Sequence, residues 1–185
     1  ATEALPVASI ERQEIINDTG DRPAEGVCVG KPVPGAEIKI IQISDQPITQ
    51  WEKGLEIPQG QTGEIIVKAP WVTKSYFKQA AITNLAKIPD GETFWHRMGD
   101  LGRWDEKSRL WFCGRKSHRV IIGLETLFTI PCEAIFNQHP HVKRSALVGR
   151  GLGSKREPVI IIEPEPENSR AKDRDTFSKE LLVLG

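Results

Sequence analysis

Asp100 and Arg115 carry the most direct chemistry this sequence offers. Asp100 lies in Trp95-His96-Arg97-Met98-Gly99-Asp100-Leu101-Gly102-Arg103-Trp104-Asp105, and Arg115 closes the apolar run Leu110-Trp111-Phe112-Cys113-Gly114. A carboxylate at a glycine-flanked turn can accept two hydroxyl protons of a ribose, and a guanidinium can present a planar fork of donors to a ribose or a phosphate. Together they point to a nucleotide site.

The elements that must position this pair read as a β-hairpin. Residues 93–96 form a strand running into Gly99-Asp100, residues 110–113 form its antiparallel partner, and the charged turn 105–108 joins them. Such a hairpin brings Asp100 and Arg115 to neighbouring positions. Around it, residues 30–111 read mostly as short strands between glycine and proline turns. Residues 35–43 begin with alternation and then double their isoleucines, which predicts a bulge or a strand covered on both faces. A turn at 58–63 leads into a strand at 64–68, and the polar insert 44–56 is expected to be a surface loop. A short helix is expected within 75–83, with a closing turn at 89–92.

Residues 114–119 break the composition with charge between two apolar strands. Beyond them the pattern is α+β: a strand at 120–122, a helix over about 130–138 with Thr129 as N-cap, and strands at 145–148 and 159–162. The helix carries Cys132, Ile135 and Phe136 as its apolar stripe. A polar connection over 164–175 then leads to a final helix over 176–182, and the acidic proline run 163–167 reads as a solvated loop.

The chain has 185 residues, with Lys plus Arg and Asp plus Glu at 25 each. No net field draws it to nucleic acid or to an anionic membrane. Cys28, Cys113 and Cys132 are odd in number and widely spaced, a pattern of reduced thiols rather than of a disulfide framework or a zinc site. No apolar run approaches the roughly 20 residues of a transmembrane span, and the opening residues lack a signal-peptide pattern. A cytoplasmic protein without a transmembrane segment is the expectation. The abrupt opening on Ala1-Thr2-Glu3 and the apolar close on Leu184-Gly185 lead us to expect a piece of something larger.

The order of motifs resembles the C-terminal part of the adenylate-forming superfamily, which comprises acyl-CoA synthetases, nonribosomal peptide adenylation domains and luciferases. Thr2-Glu3 matches the end of a tyrosine-glycine-x-threonine-glutamate motif, and Gly63-Glu64-Ile65-Ile66-Val67 with Ser75-Tyr76-Phe77 matches the next. Gly99-Asp100-Leu101-Gly102 and Gly114-Arg115-Lys116 follow in the family's order. Residues 1–7 and 95–100 most resemble the olefin-biosynthesis branch, whose members act as β-lactone synthetases.

This resemblance implies an α+β fold: a small distorted β-barrel subdomain followed through a hinge by a small, truncated α+β C-terminal domain. The implied boundaries are 1–113 for the end of the large domain, 114–119 for the hinge and 120–185 for the small domain. The implied activity is attachment of a fatty, β-hydroxy carboxylate to the α-phosphate of ATP, giving an acyl-AMP and pyrophosphate. The substrate's own hydroxyl then closes a β-lactone and expels AMP. In this scheme Glu3 ligates Mg2+, the Thr2 hydroxyl contacts the α-phosphate, Asp100 holds the ribose hydroxyls, and Arg115 binds the ribose or a phosphate. The implied ligands are ATP or AMP and a long-chain carboxylic acid, and other olefin-pathway enzymes are the implied protein partners.

Several positions depart from the family pattern. Ser117 and His118 stand at the hinge where aspartate or lysine is usual, and Gly123-Leu124-Glu125-Thr126-Leu127 replaces a glycine-rich loop bearing an arginine. These changes fall where thiol access is organised in coenzyme A ligases, so they favour the lactone over the thioester. The upstream phosphate loop and a downstream lysine are absent, and on its own the segment is expected to be inert.

Two further readings stand beside this one. A long-chain fatty acid–CoA ligase would add coenzyme A to the cofactors, and a stand-alone β-barrel module would bind a partner and catalyse nothing. Alone, Asp100 reads as a turn residue and Arg115 as half of a surface ion pair; the ordered motifs reverse those odds. The five tryptophans read as packing and rim residues.

Overall fold

In the computed structural model the described residues are 2–17, 23–151, 153, 156–166 and 174–184. They fall into two units, one comprising Ala1–Gly20 with Val27–Ser117 and the other Asp21–Gly26 with His118–Gly185.

The first unit is built on an antiparallel sheet. Its elements are β1 (Ala8–Ser9), α1 (Arg12–Asn17), β2 (Val27–Pro32), β3 (Glu37–Ile41), β4 (Gly63–Lys68), α2 (Ala80–Ala86), β5 (Lys87–Asp90), β6 (Thr93–Trp104) and β7 (Leu110–Arg115). The strand order is β1-β2-β7-β6-β4-β3, with β5 paired to the first half of β6. No pairing joins β1 to β3 among the described residues, so the expected barrel is instead an open, curled half-barrel sheet.

The doubled isoleucines of β3 mark a strand covered on both faces. Ile40 packs with Ile65, Val67 and Leu110 on one face. Ile41 packs with Ile66, Ile88 and Trp95 on the other. Period-two geometry sends successive side chains to opposite faces, so an unbroken apolar run is what two covered faces require.

The insert 44–56 supplies much of the second cover and is not simply a solvated loop. Ile48, Trp51 and Leu55 pack on the second cluster. The Gln42 amide donates to the Leu55 carbonyl at 3.0 Å and the Ile57 amide to the Ile40 carbonyl at 3.1 Å, so the segment also bonds along β3. Its polar composition hides three apolar anchors that period-based reading does not detect.

The turn between β6 and β7 is fixed by Asp105. Its Oδ1 accepts from the amides of Lys107 at 2.9 Å and Arg109 at 2.8 Å, and its Oδ2 accepts from Arg109 Nε at 2.7 Å and Trp111 Nε1 at 2.9 Å. Burial alone would raise the pKa of this carboxyl, but the donors of Trp111 and Arg109 hold it down at about 2. Asp105 thereby starts the ladder that pairs Trp104 with Leu110, and a register shift between Leu101 and Gly102 then puts Asp100 opposite Arg115.

The expected helix within 75–83 forms later, as α2, because residues 75–79 are extended or turning and Lys78 has a φ of 54°. Of the expected turn at 89–92, Pro89 and Asp90 belong to β5.

The second unit contains β8 (Val120–Ile122), β9 (Glu125–Leu127), α3 (Thr129–Asn137), β10 (Val142–Arg150), β11 (Glu157–Pro164) and α4 (Arg174–Leu184). β8 pairs with β9 and β10 with β11, both antiparallel. Thr129 is the first helical residue of α3 rather than its N-cap; the cap position is Phe128, which adopts extended dihedrals and makes no side-chain cap bond. Glu163 and Pro164 extend β11, and Glu163 pairs with Lys143 and Arg144 instead of lying in a loop. Of the expected connection over 164–175, residues 167–173 lie outside the described residues. Cys132, Ile135 and Phe136 face an apolar recess of about 750 Å3 shared with Ile160, Ile162 and Phe177. Cys28, Cys113 and Cys132 are free thiols. No helix among the described residues is long and apolar enough to cross a membrane.

Candidate functional site

β6 changes its neighbours halfway along. His96 pairs with Lys87 of β5, whereas Asp100 through Trp104 pair with β7. On its other side, β6 moves from Arg97↔Ile66 to Leu101↔Glu64 and spends extra residues at the step. Gly99 sits in this bulge with a φ of 68°, a backbone conformation that favours glycine. On the β7 side a separate register shift, between Leu101 and Gly102, places Asp100 opposite Arg115.

Asp100 Oδ1 accepts from Arg115 Nη1 at 2.7 Å. The Asp100 side chain is 15% exposed and that of Arg115 47%, so the pair has a covered acidic end and an open basic end. Burial raises the pKa of Asp100, and the Arg115 charge and hydrogen bond oppose that rise. Asp100 also borders an apolar recess of about 190 Å3 lined by Leu5, Val7, Ile65, Met98 and Phe112 among others. A guanidinium retains donors beyond the one used here. The arrangement can accept hydrogen bonds from a diol at the carboxylate and direct a cation toward an anion.

Glu3 lies within electrostatic reach, since its charge also raises the pKa of Asp100. Its backbone carbonyl accepts from the Thr73 amide at 2.9 Å, and its Oε1 accepts from the Tyr76 hydroxyl at 3.1 Å. A backbone hydrogen bond, more than the bond from Tyr76, lowers the Glu3 pKa. Thr2 is exposed beside it. Ser117 and His118 occupy a 3₁₀ turn, Lys116–His118, and are both exposed. The boundary between the two units falls between them.

Around these residues stand groups that the sequence did not single out. Lys87 donates to the Thr73 carbonyl and lies 4.7 Å from the Phe94 ring centroid; burial lowers its pKa to about 8 against the opposing charge of Glu3. His96 is buried, and its Nδ1 donates to the Ala86 carbonyl at 3.2 Å; desolvation and then the Lys87 charge bring its pKa to about 4. Neither residue stands in a recognisable spacing, and only the pairing of β5 with β6 brings them together.

On the other face of the sheet, the Glu64 carboxylate is 0% exposed and Arg97 2%. Arg97 Nη2 donates to Glu64 Oε2 at 2.7 Å and its Nε to Oε1 at 3.2 Å. The remaining guanidinium hydrogens meet the carbonyls of Gln46 at 2.7 Å, Leu85 at 3.1 Å and Ser44. Lys116 Nζ completes the cluster, 2.9 Å from Glu64 Oε1 and 2.9 Å from the Ser44 carbonyl. Glu64 and Lys116 both lie inside recognised motifs, yet nothing in their spacing announces the contact.

The described residues contain no group of three or more His, Cys, Asp or Glu side chains that could hold a metal ion. A single carboxylate such as Glu3 nevertheless suits Mg2+, which is commonly bound through one or two carboxylates together with substrate phosphates.

No protein-family model matches the chain. Among curated proteins it is 44% identical over 172 residues to an olefin β-lactone synthetase of Xanthomonas campestris, covering 90% of this chain and 31% of that protein. It is 42% identical over 169 residues to the olefin β-lactone synthetase of Stenotrophomonas maltophilia, covering 88% of this chain and 31% of that protein. The chain thus spans about a third of the length of these relatives. Among solved structures, the o-succinylbenzoate CoA synthetase of Bacillus subtilis in complex with its acyl-adenylate intermediate matches with a TM-score of 0.67 at 25% identity, covering 94% of this chain and 32% of that one. The motif order, the half-barrel fold and these relatives agree: the chain belongs to the adenylate-forming superfamily.

Proposed function

We propose that this chain is the nucleotide-holding part of an ATP-dependent enzyme that activates a fatty β-hydroxy carboxylate as its acyl-AMP and closes it to a β-lactone, with loss of AMP. The observation that carries the reading is the Asp100–Arg115 pair, held at 2.7 Å across the β6–β7 ladder beside an apolar recess. Asp100 accepts the ribose hydroxyls, and Arg115 donates to the ribose or a phosphate. The Thr2 hydroxyl contacts the α-phosphate. Mg2+, when bound with ATP, neutralises the charge that builds on the phosphate oxygens, and Glu3 is its protein ligand. Tyr76 orients that carboxylate through its hydrogen bond to Oε1. Ser117 and His118 form the hinge.

Lactone closure by an internal hydroxyl needs no second molecule to be captured, which favours it by proximity. The names of the two relatives above and the departures at Ser117 and His118 support this product over a thioester. The test is direct. The intact protein, given ATP, Mg2+ and a β-hydroxy fatty acid, is expected to release AMP and a lactone without coenzyme A. Strict dependence on the thiol would move the assignment to a fatty acid–CoA ligase, and absence of any AMP release would leave a non-catalytic module.

A further inference from the structure

Arg115 is the last residue of β7 and Lys116 the first of the 3₁₀ turn that follows, and these consecutive cations go to opposite faces of the sheet. Arg115 meets Asp100 on the face with the recess. Lys116 meets Glu64 on the other face, where Arg97 already contacts both carboxylate oxygens. The register fixes one side of the split, with Asp100 opposite Arg115, and Lys116 makes the other as the chain leaves the strand in the 3₁₀ turn, its ammonium reaching Glu64, which lies opposite Leu101.

Arg97 by itself balances the charge of Glu64, so a second cation is not needed to neutralise that carboxylate. The contribution of Lys116 is attachment. Its ammonium ties the residue after Arg115 to β4 and to the Ser44 carbonyl, at 2.9 Å in each case. Both anchors are rigid, because Glu64 is fully buried and the Ser44 carbonyl also receives Arg97. The open side of the strand end is different, since the Arg115 side chain is 47% exposed. A long exposed side chain loses much rotamer freedom when it is held in one geometry, and the ion pair alone repays little of that cost.

We propose that Lys116 is a positioning residue: by fastening the residue that follows β7 from the face opposite the nucleotide, it keeps Arg115 aligned on Asp100. The proposal rests on the nucleotide reading of Asp100 and Arg115. It adds that the fixed point of the strand end is the residue after the contact residue, on the other side of the sheet.

The experiment is a double-mutant cycle in the intact protein, reading the KM for ATP, kcat and the unfolding midpoint for K116M, K116R, R115A, R115A/K116M and D100A. K116M leaves Glu64 paired to Arg97, and the unfolding midpoint reports any general loss of structure. The expected result is a rise of about 10-fold in the KM for ATP in K116M with a smaller change in kcat, recovery in K116R, and no further rise when K116M is added to R115A. A K116M effect that adds in full to that of R115A, or a KM at the wild-type value, overturns the positioning role. If D100A and R115A themselves leave the KM unchanged, it is the nucleotide reading that falls.

Discussion

Asp105 and Arg109 close the β6–β7 turn on each other, with the carboxylate of one accepting both the amide and the Nε of the other. This small ring stands ten residues or fewer from both members of the candidate site, and the ladder it starts ends on Asp100 and Arg115.

Asp105→Ala therefore removes a buried carboxylate from beneath a buried guanidinium. Breaking one partner of such a pair costs about 3–5 kcal/mol, and urea unfolding of the intact protein is expected to show a loss in that range. The pH dependence follows from the lowered pKa. The folded value of about 2 is below the ordinary 3.8, so the stabilisation is fully present above about pH 4 and disappears as pH falls toward 2. The variant should lose this acid-dependent component in unfolding curves recorded across that window.

Asp100→Ala is expected to raise the KM for ATP and lower turnover while leaving the unfolding midpoint close to wild type. Hydrogen bonds to a charged group are worth about 1.5–3 kcal/mol, which corresponds to roughly 10- to 160-fold in kcat/KM. Steady-state kinetics with ATP varied at saturating acid measures it; unchanged kinetics would remove Asp100 from the site.

His96 gives a second pH signature. Its folded pKa of about 4 is below the ordinary 6.5, so the unfolded chain binds the extra proton between these values. Stability is expected to fall as pH drops from 6.5 toward 4, and His96→Phe should flatten that slope. An imidazole NMR titration with a midpoint near 6.5 in the folded protein would contradict the assignment.

Gly102 touches the backbone of the partner strand. A Cβ there would meet the Trp111 carbonyl oxygen at 2.5 Å and Ile65 Cδ1 at 2.8 Å. Overpacking of this kind costs about 1–3 kcal/mol, and Gly102→Ala should also raise the KM for ATP because it pushes β6 and β7 apart next to the Asp100–Arg115 pair. A variant with wild-type stability and kinetics would show that the two strands separate there without cost.

The turn at 105–108 and the nearness of Asp100 to Arg115 were legible from two apolar runs and a charged turn, but the strand partners were not: residues 93–96, expected to pair with 110–113, pair with β5, and it is residues 100–104 that pair with β7. The two-faced burial of β3 was one of the two readings that its consecutive isoleucines allowed, the other being a bulge. Sheet closure was not legible, since strand order depends on pairings distant in sequence. The same reason hid the Glu64–Arg97–Lys116 cluster, whose members come from β4, β6 and the turn after β7. Lys87 gave no signal and His96 only its place in the 95–100 stretch, because each owes its shifted pKa to burial that only the assembled sheet supplies. Thr129 misled in the opposite direction: a good capping residue was present, but the preceding Phe128 already carries the extended dihedrals that begin the helix.

The hydrogen bonds that the segment after β3 makes to Ile40 and Gln42 shield a sheet margin that would otherwise stand open. Because β3 is greasy on both sides, an uncovered margin there would be a template for intermolecular strand addition. Trimming this polar stretch to a tight turn would therefore turn a covered edge into a nucleus for aggregation.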